Sequence, residues 1–168
     1  MNQLAPPHSL GSITPVIITF NEQSNLGRTL DALHWAKAII IVDSGSTDDT
    51  IQIAHAYPNT TVHHRPFDSF ANQWNHALQL VPTEWALCLD ADCIVSPELA
   101  QEMNQLDFEA TDGYRAPFKY CICGKPLRSS LLPPRVVLVP VKRQHFINDG
   151  HFQVQEKQND IRSLSGYL

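Results

Sequence analysis

The chain has 168 residues, 43% of them hydrophobic and 17% charged, the balance of one soluble globular domain rather than of a disordered segment. Its net charge is −5 and it has no Lys/Arg-rich run, so nucleic acid is not an expected partner. No stretch of ~20 apolar residues exists to span a bilayer, and residues 1–11 lack the basic and apolar regions of a signal peptide, so a cytoplasmic location is the default expectation.

Residues 1–12 are expected to form a flexible leader, and residues 13–168 a single domain. Within that domain, short apolar runs alternate with helical patterns. The runs at 13–20, 38–42, 85–89 and 136–141 are continuous enough for strands buried on both faces. Between the first two, Leu26, Leu30, Leu33 and Ala36 recur at helix spacing. Next, Ile51, Ala54 and Tyr57 follow Ser46-Thr47-Asp48-Asp49, where Ser46 and Asp49 have capping-box spacing. A third stripe comprises Phe70, Trp74, Ala77, Leu78 and Val81. Ser96-Pro97-Glu98 opens a fourth helix, with Ser as cap and Pro at the first helical position.

This order predicts βαβ units and an open, mostly parallel sheet with ligands bound beyond the carboxyl ends of its strands. Beyond Asp112, residues 114–128 and 131–141 suggest an antiparallel extension. The cysteines Cys88, Cys93, Cys121 and Cys123 form no C-x-x-C pair and are expected to be reduced and structural.

Chemistry-bearing residues follow the runs. Thr19-Phe20-Asn21-Glu22 comes after the first, Asp43-Ser44-Gly45-Ser46 after the second, and Asp90-Ala91-Asp92 after the third. In an extended segment, residues two apart project to the same side, so Asp90 and Asp92 can approach one point. Two close carboxylates suit a hard cation, Mg²⁺ or Mn²⁺, that bridges them to phosphates; an acidic turn before the Ser96 helix is the other reading. Asp43 is either a turn residue or a hydrogen-bond acceptor for a nucleoside. Neither G-x-G-x-x-G nor G-x-x-x-x-G-K-[ST] occurs, which counts against a nicotinamide dehydrogenase and a P-loop NTPase.

The strings Val16-Ile17-Ile18-Thr19-Phe20-Asn21-Glu22, Ile40-Ile41-Val42-Asp43-Ser44-Gly45-Ser46-Thr47-Asp48-Asp49-Thr50 and Leu89-Asp90-Ala91-Asp92 resemble those of family 2 glycosyltransferases. Phe70-Ala71-Asn72-Gln73-Trp74-Asn75-His76-Ala77-Leu78 is similar to the helix before the D-x-D in the lipopolysaccharide-core sugar transferase branch. The resemblance implies a GT-A fold, a Rossmann-like three-layer α/β/α sandwich. Its mostly parallel central sheet would carry a small antiparallel extension. Residues 13–108 would form the nucleotide-sugar-binding half and 109–168 the acceptor-side half.

By the same resemblance, Thr19, Asn21 and Glu22 line the nucleotide pocket, Asp43 and Ser44 hold the nucleoside, and Asp90 lies near ribose and sugar. Asp92 binds Mg²⁺ or Mn²⁺ on the diphosphate. The implied reaction is metal-assisted, inverting transfer of a sugar from a nucleotide-sugar donor, expected to be a UDP-sugar. The acceptor would be a glycan or lipid-linked molecule of the cell envelope, such as lipopolysaccharide. The implied location is cytoplasmic, and peripheral contact at the inner membrane face is compatible with it.

Three departures from the family pattern stand out. Relatives carry a His-Glu pair where this chain has Asn148-Asp149-Gly150-His151-Phe152, so Asp149 and His151 are the candidates for the general base. A tight turn at Asp149-Gly150 is the plainer reading. Trp74 replaces a basic residue, leaving Arg65 or Arg28 to compensate. Relatives also continue past Gly166-Tyr167-Leu168. A truncated, non-catalytic nucleotide-sugar-binding domain is therefore the alternative expectation, and a nucleotidyltransferase ranks behind both.

Overall fold

The computed structural model describes residues 10–108, 111–122, 125–127, 133–149, 152–155 and 159–168. Four strands, β1 (Ile13–Thr19), β2 (Ile39–Asp43), β3 (Thr60–His64) and β4 (Trp85–Asp90), alternate with the helices α1 (Leu26–Asp31), α2 (Thr50–His55) and α3 (Phe70–Gln79). After α4 (Pro97–Met103) come β5 (Gly113–Ala116), the short pair β6 (Cys121–Ile122) and β7 (Lys125–Pro126), and β8 (Arg135–Pro140). The hairpin β9 (Phe146–Asp149) and β10 (Phe152–Gln155) and a last strand, β11 (Ile161–Ser163), complete the order.

Seven strands form one sheet in the order β11-β5-β8-β4-β1-β2-β3. β1 pairs in parallel with β2 and β4, and β2 with β3; β8 runs antiparallel between β4 and β5. This is the expected mostly parallel α/β sheet with an antiparallel extension. The chain moves from β1 outward to β2 and β3, then returns to the other side of β1 for β4. That reversal is a topological switch point, and it leaves a crevice beyond the carboxyl ends of β1 and β4.

The strands β1, β2 and β4 are mostly apolar because both of their faces are covered. Ile13, Ile17, Ile39, Ile41, Leu87 and Leu89 face a core closed by Leu26, Leu30 and Leu33 around α1, Ala54 of α2, and Leu99 and Met103 of α4. The alternate residues Val16, Ile18, Ile40, Val42, Ala86 and Cys88 meet Ala71, Trp74, Ala77 and Leu78 of α3, with Phe146 of β9. The side-chain amide of Asn75 fastens that hairpin to α3, accepting from Phe146 N and donating to Phe146 O, both at 2.8 Å.

Several local expectations are corrected. The first helical stripe is a six-residue helix continued by turns: Leu33 and Ala36 are buried, but bonds reaching back three residues tighten the chain there. Ser46 does not cap α2. The cap position is Asp49, without a side-chain cap bond, because Ser46 is bound to Asp43 instead. Ser96 caps α4 as expected, accepting from Leu99 N at 3.1 Å with Pro97 opening the helix. Phe20, counted in the first apolar run, and Phe70, counted in the third helical stripe, are exposed. The described cysteines Cys88, Cys93 and Cys121 are free thiols. Leu10–Ser12 form a short 3-10 turn ahead of β1. Among the described residues, no helix is long and apolar enough to cross a membrane.

Candidate active site

The register of the sheet assembles the site. Ile18 of β1 lies beside Asp90 of β4, and Thr19 lies beside Asp43 of β2. Beyond these ends opens a cavity of about 650 Å³, lined by Thr19, Phe20 and Glu22 from the first strand end and Ser44 from the second. Asp90, Ala91 and Asp92 line it from the third, and Phe67, Phe70 and Gln73 from the β3–α3 segment. Its size is that of a small-molecule site.

The loop after β2 is built around the Asp43 carboxylate, which is almost completely buried. One oxygen accepts from Gly45 N at 2.8 Å and Ser46 N at 3.0 Å, the other from the Ser46 hydroxyl, and the His64 imidazole lies at 3.6 Å. Gly45, at φ +104, makes the turn with a backbone that side chains resist. Asn21, at φ 55, ties the β1 loop to the β2 loop: its N–H donates to Ser46 Oγ, and its side-chain oxygen accepts from Thr47 N, each at 2.8 Å. Neither Asp43 nor Asn21 is on the cavity wall. Their geometry sets the wall's shape.

Thr19, Glu22, Ser44, Asp90 and Asp92 are on the wall. The Thr19 hydroxyl is buried, without a hydrogen-bond partner among the described residues. Ser44 accepts from Gln73 Nε2 at 2.9 Å, and the fully buried Gln73 also donates to Arg65 O at 3.0 Å.

Asp90 and Asp92 flank Ala91, whose side chain enters the core and whose carbonyl accepts from the Thr29 hydroxyl at 2.7 Å. Ligand atoms of Asp90, Asp92 and Cys93 lie within 4.8 Å of one another. Burial pushes the Cys93 thiol up to about 12, with the Asp90 and Asp92 charges adding to it, so it stays protonated at neutral pH. The two carboxylates therefore make a donor set for a hard cation such as Mg²⁺ or Mn²⁺, while the thiol does not. Burial raises the Asp90 carboxyl above its ordinary value; the Arg135 guanidinium, 3.4 Å away, pulls the other way, and the Asp92 charge adds to the rise.

Sequence reasoning missed Arg135, Phe20, Phe67 and Phe70. A cavity-facing aromatic reads like any other apolar residue in sequence, and Arg135 meets Asp90 only through a contact between distant segments. Arg65, a candidate to stand in for a basic residue at Trp74, has its guanidinium paired with Asp68 at 2.9 Å. Arg28 is bound to the Asn25 side chain. Asp149 ends β9, paired with Phe152 across the hairpin; its side chain and all of His151 lie outside the described residues.

The glycosyl transferase family 2 model matches residues 14–150. Among curated proteins, the lipopolysaccharide core biosynthesis glycosyltransferase LpsC of Rhizobium meliloti is 32% identical over 98 residues, 56% of this chain and 36% of that protein. An uncharacterized glycosyltransferase of Rickettsia conorii is 34% identical over 95 residues, 56% of this chain and 33% of its own length. The chain thus matches about a third of the length of these relatives. Among solved structures, S. aureus TarS 1-349 in complex with UDP-GlcNAc superposes with a TM-score of 0.69 at 18% identity, covering 94% of this chain and 58% of that one. The mannosyltransferase PcManGT of Pyrobaculum calidifontis, in complex with GDP-Man and Mn²⁺, gives a TM-score of 0.57 at 22% identity over 68% of this chain and 37% of that one. With its family assigned by the matched sequence and its GT-A fold by these superpositions, the chain belongs to glycosyl transferase family 2.

Proposed function

We propose that this domain binds a nucleotide sugar in the switch-point cavity and transfers the sugar, with inversion, to a glycan or lipid-linked acceptor. The observation that carries the reading is the gathering of Thr19, Glu22, Ser44, Asp90 and Asp92 around one cavity of about 650 Å³. The nucleoside occupies the β2–β3 side, between Ser44 and the rings of Phe67 and Phe70. The diphosphate and sugar lie toward Asp90 and Asp92. Thr19 lies between the two ends. Asp43 and Asn21 act by holding the loops that form the nucleoside side.

Asp92, with Asp90, would hold Mg²⁺ or Mn²⁺, whose Lewis acidity neutralises charge on a departing nucleoside diphosphate. The remaining work falls to the chain. As the bond from the sugar's anomeric carbon to the phosphate oxygen breaks, its electron pair goes to the diphosphate. The acceptor hydroxyl bonds the same carbon from the opposite face and gives its proton to a general base, for which Asp149 and His151 are the candidates. The donors bound by the superposed enzymes, UDP-GlcNAc and GDP-Man, and the similarity to LpsC support a nucleotide-sugar donor and a cell-envelope acceptor. A cytoplasmic site of action, at the membrane's inner face, follows from that acceptor.

Calorimetric titration with UDP, GDP and their sugars, with Mn²⁺ and then with EDTA, tests the reading. Binding should weaken sharply in EDTA and return with Mn²⁺ or Mg²⁺, Asp92→Asn should reproduce the EDTA result, and Cys93→Ser should change little. Donor binding indifferent to both EDTA and Asp92→Asn refutes the metal assignment. Binding without any release of nucleoside diphosphate in the presence of acceptor assigns a binding domain instead of a transferase.

A further inference from the structure

The cavity has a charge problem that its wall does not solve. Glu22, Asp90 and Asp92 line it, and no Lys, Arg or His is among its lining residues in the described structure. A nucleoside diphosphate brings two to three further negative charges. Even with a divalent cation at Asp92, the ligand's oxygens outnumber the charges available to meet them.

Arg135 stands at the edge of this field. It opens β8, which runs antiparallel to β4 with Trp85 opposite Pro140 and Leu87 opposite Leu138, and its side chain reaches Asp90 at the end of β4. On its other side β8 pairs with β5, Ala116 lying opposite Arg135, so its backbone is held from that flank. The guanidinium lies 5.7 Å from the centroid of the Phe118 ring, and one nitrogen reaches Asp90 at 3.4 Å. That single contact is long for a charge-assisted bond, and it is not bidentate. The side chain is 42% exposed, so part of the guanidinium is accessible to a ligand.

We infer that Arg135 is the cation of the donor cavity, exchanging the Asp90 carboxylate for an oxygen of the bound diphosphate. The Asp90 contact keeps the guanidinium turned toward the cavity when no ligand is there. The rigid β8 backbone and the Phe118 ring limit how far it can stray. On binding, the guanidinium replaces a weak carboxylate contact with a phosphate contact that its planar fork fits better. Arg135 then shares the charge of the leaving diphosphate from the side opposite β2. This inference rests on the nucleotide-sugar reading above, which it extends to a residue on the other half of the chain.

The test compares UDP with uridine as probes of the native chain and of Arg135→Met and Arg135→Lys, in Mn²⁺ and in EDTA. Calorimetry reads UDP, and ligand-observed NMR reads the weaker uridine. Arg135→Met should lose about ten- to a hundred-fold in UDP affinity in EDTA, the range for one charge-assisted hydrogen bond. It should leave uridine binding unchanged. Arg135→Lys should recover part of the loss, and the native affinity for UDP should fall with added salt more steeply than that of Arg135→Met. If Arg135→Met does not show the native thermal transition, Arg135→Gln takes its place in the same comparison. UDP affinity unaffected by removal of the charge, or UDP and uridine weakened in equal proportion, overturns the inference and leaves the ion pair as structure. A native chain that binds neither UDP nor GDP, with or without Mn²⁺, overturns the nucleotide reading and this inference together.

Discussion

The hydroxyl of Thr29, on α1, donates to the carbonyl of Ala91 at 2.7 Å, and both residues are buried. A helix that contributes nothing to the cavity wall thus sets the backbone on which Asp90 and Asp92 stand. Thr29→Val keeps the shape and removes the donor, leaving the Ala91 carbonyl unpaired at a cost of about 1–3 kcal/mol. Urea denaturation should show that loss. Mn²⁺-dependent nucleotide binding should weaken beyond it, because the two carboxylates lose their fixed spacing. Thr29→Ser should restore both.

Asp43 should register in two measurements. Its oxygens already hold Gly45 N, Ser46 N and the Ser46 hydroxyl, so Asp43→Ala should destabilise the fold by about 1–3 kcal/mol through the donors left behind. Affinity for nucleoside diphosphates should fall as well, since Ser44 sits on that loop. Stability lost with affinity intact would make Asp43 a turn residue and nothing more.

Phe67 and Phe70 meet edge to face at 5.0 Å between ring centroids, yet they are 50% and 45% exposed. Apolar rings left open on a cavity wall contribute little to folding. Phe67→Ala and Phe70→Ala should therefore leave the denaturation midpoint nearly unchanged while weakening nucleoside binding. A double-mutant cycle should show a coupling of about 0.5–1.5 kcal/mol. Midpoints that drop with no change in binding would place the rings in the fold's service instead.

An alkaline limb should appear in the stability profile. The Tyr57 hydroxyl donates to Asp31 Oδ1 at 2.7 Å, with Gly27 O 3.1 Å from the same oxygen. The hydrogen bond to Asp31 raises the hydroxyl's pKa above its ordinary value, with burial and the Asp31 charge adding to the shift. A group whose pKa is higher folded than unfolded gives its full contribution below the unfolded value, about 10. That contribution is lost as pH rises through the folded value. Denaturation midpoints measured across that window should fall more steeply for the native chain than for Tyr57→Phe.

The parts of this molecule that could be read from sequence are those governed by short-range pattern. β1, β2, β4 and β8 are continuous apolar runs because helices or the hairpin cover both faces, and Ser96-Pro97 marks α4 by cap chemistry alone. β3, Thr60–His64, carries two His and three β-branched residues on the sheet's edge, half-exposed, so neither alternation nor a run betrays it. Ser46 looked like a cap because spacing cannot tell which acceptor a hydroxyl will prefer, and the buried Asp43 won. The carboxylates and Thr19 were legible because strand ends converge by topology. Arg135 and the aromatic wall were not, since each depends on a pairing or a loop path that no local pattern encodes.

The late insertion of β8 between β4 and β5 also bears on how the chain can be made. The strands β1 to β4 can zip together as they leave the ribosome, each joining a neighbour already synthesised. β4 must then wait, its outer edge of Trp85, Ala86 and Leu87 unpaired, until residues 135–140 emerge to cover it. An apolar edge held open in this way is a template for association with other nascent chains. The strand that closes it is also the one that carries the arginine to Asp90, so shielding the edge and charging the cavity are accomplished in the same step of synthesis.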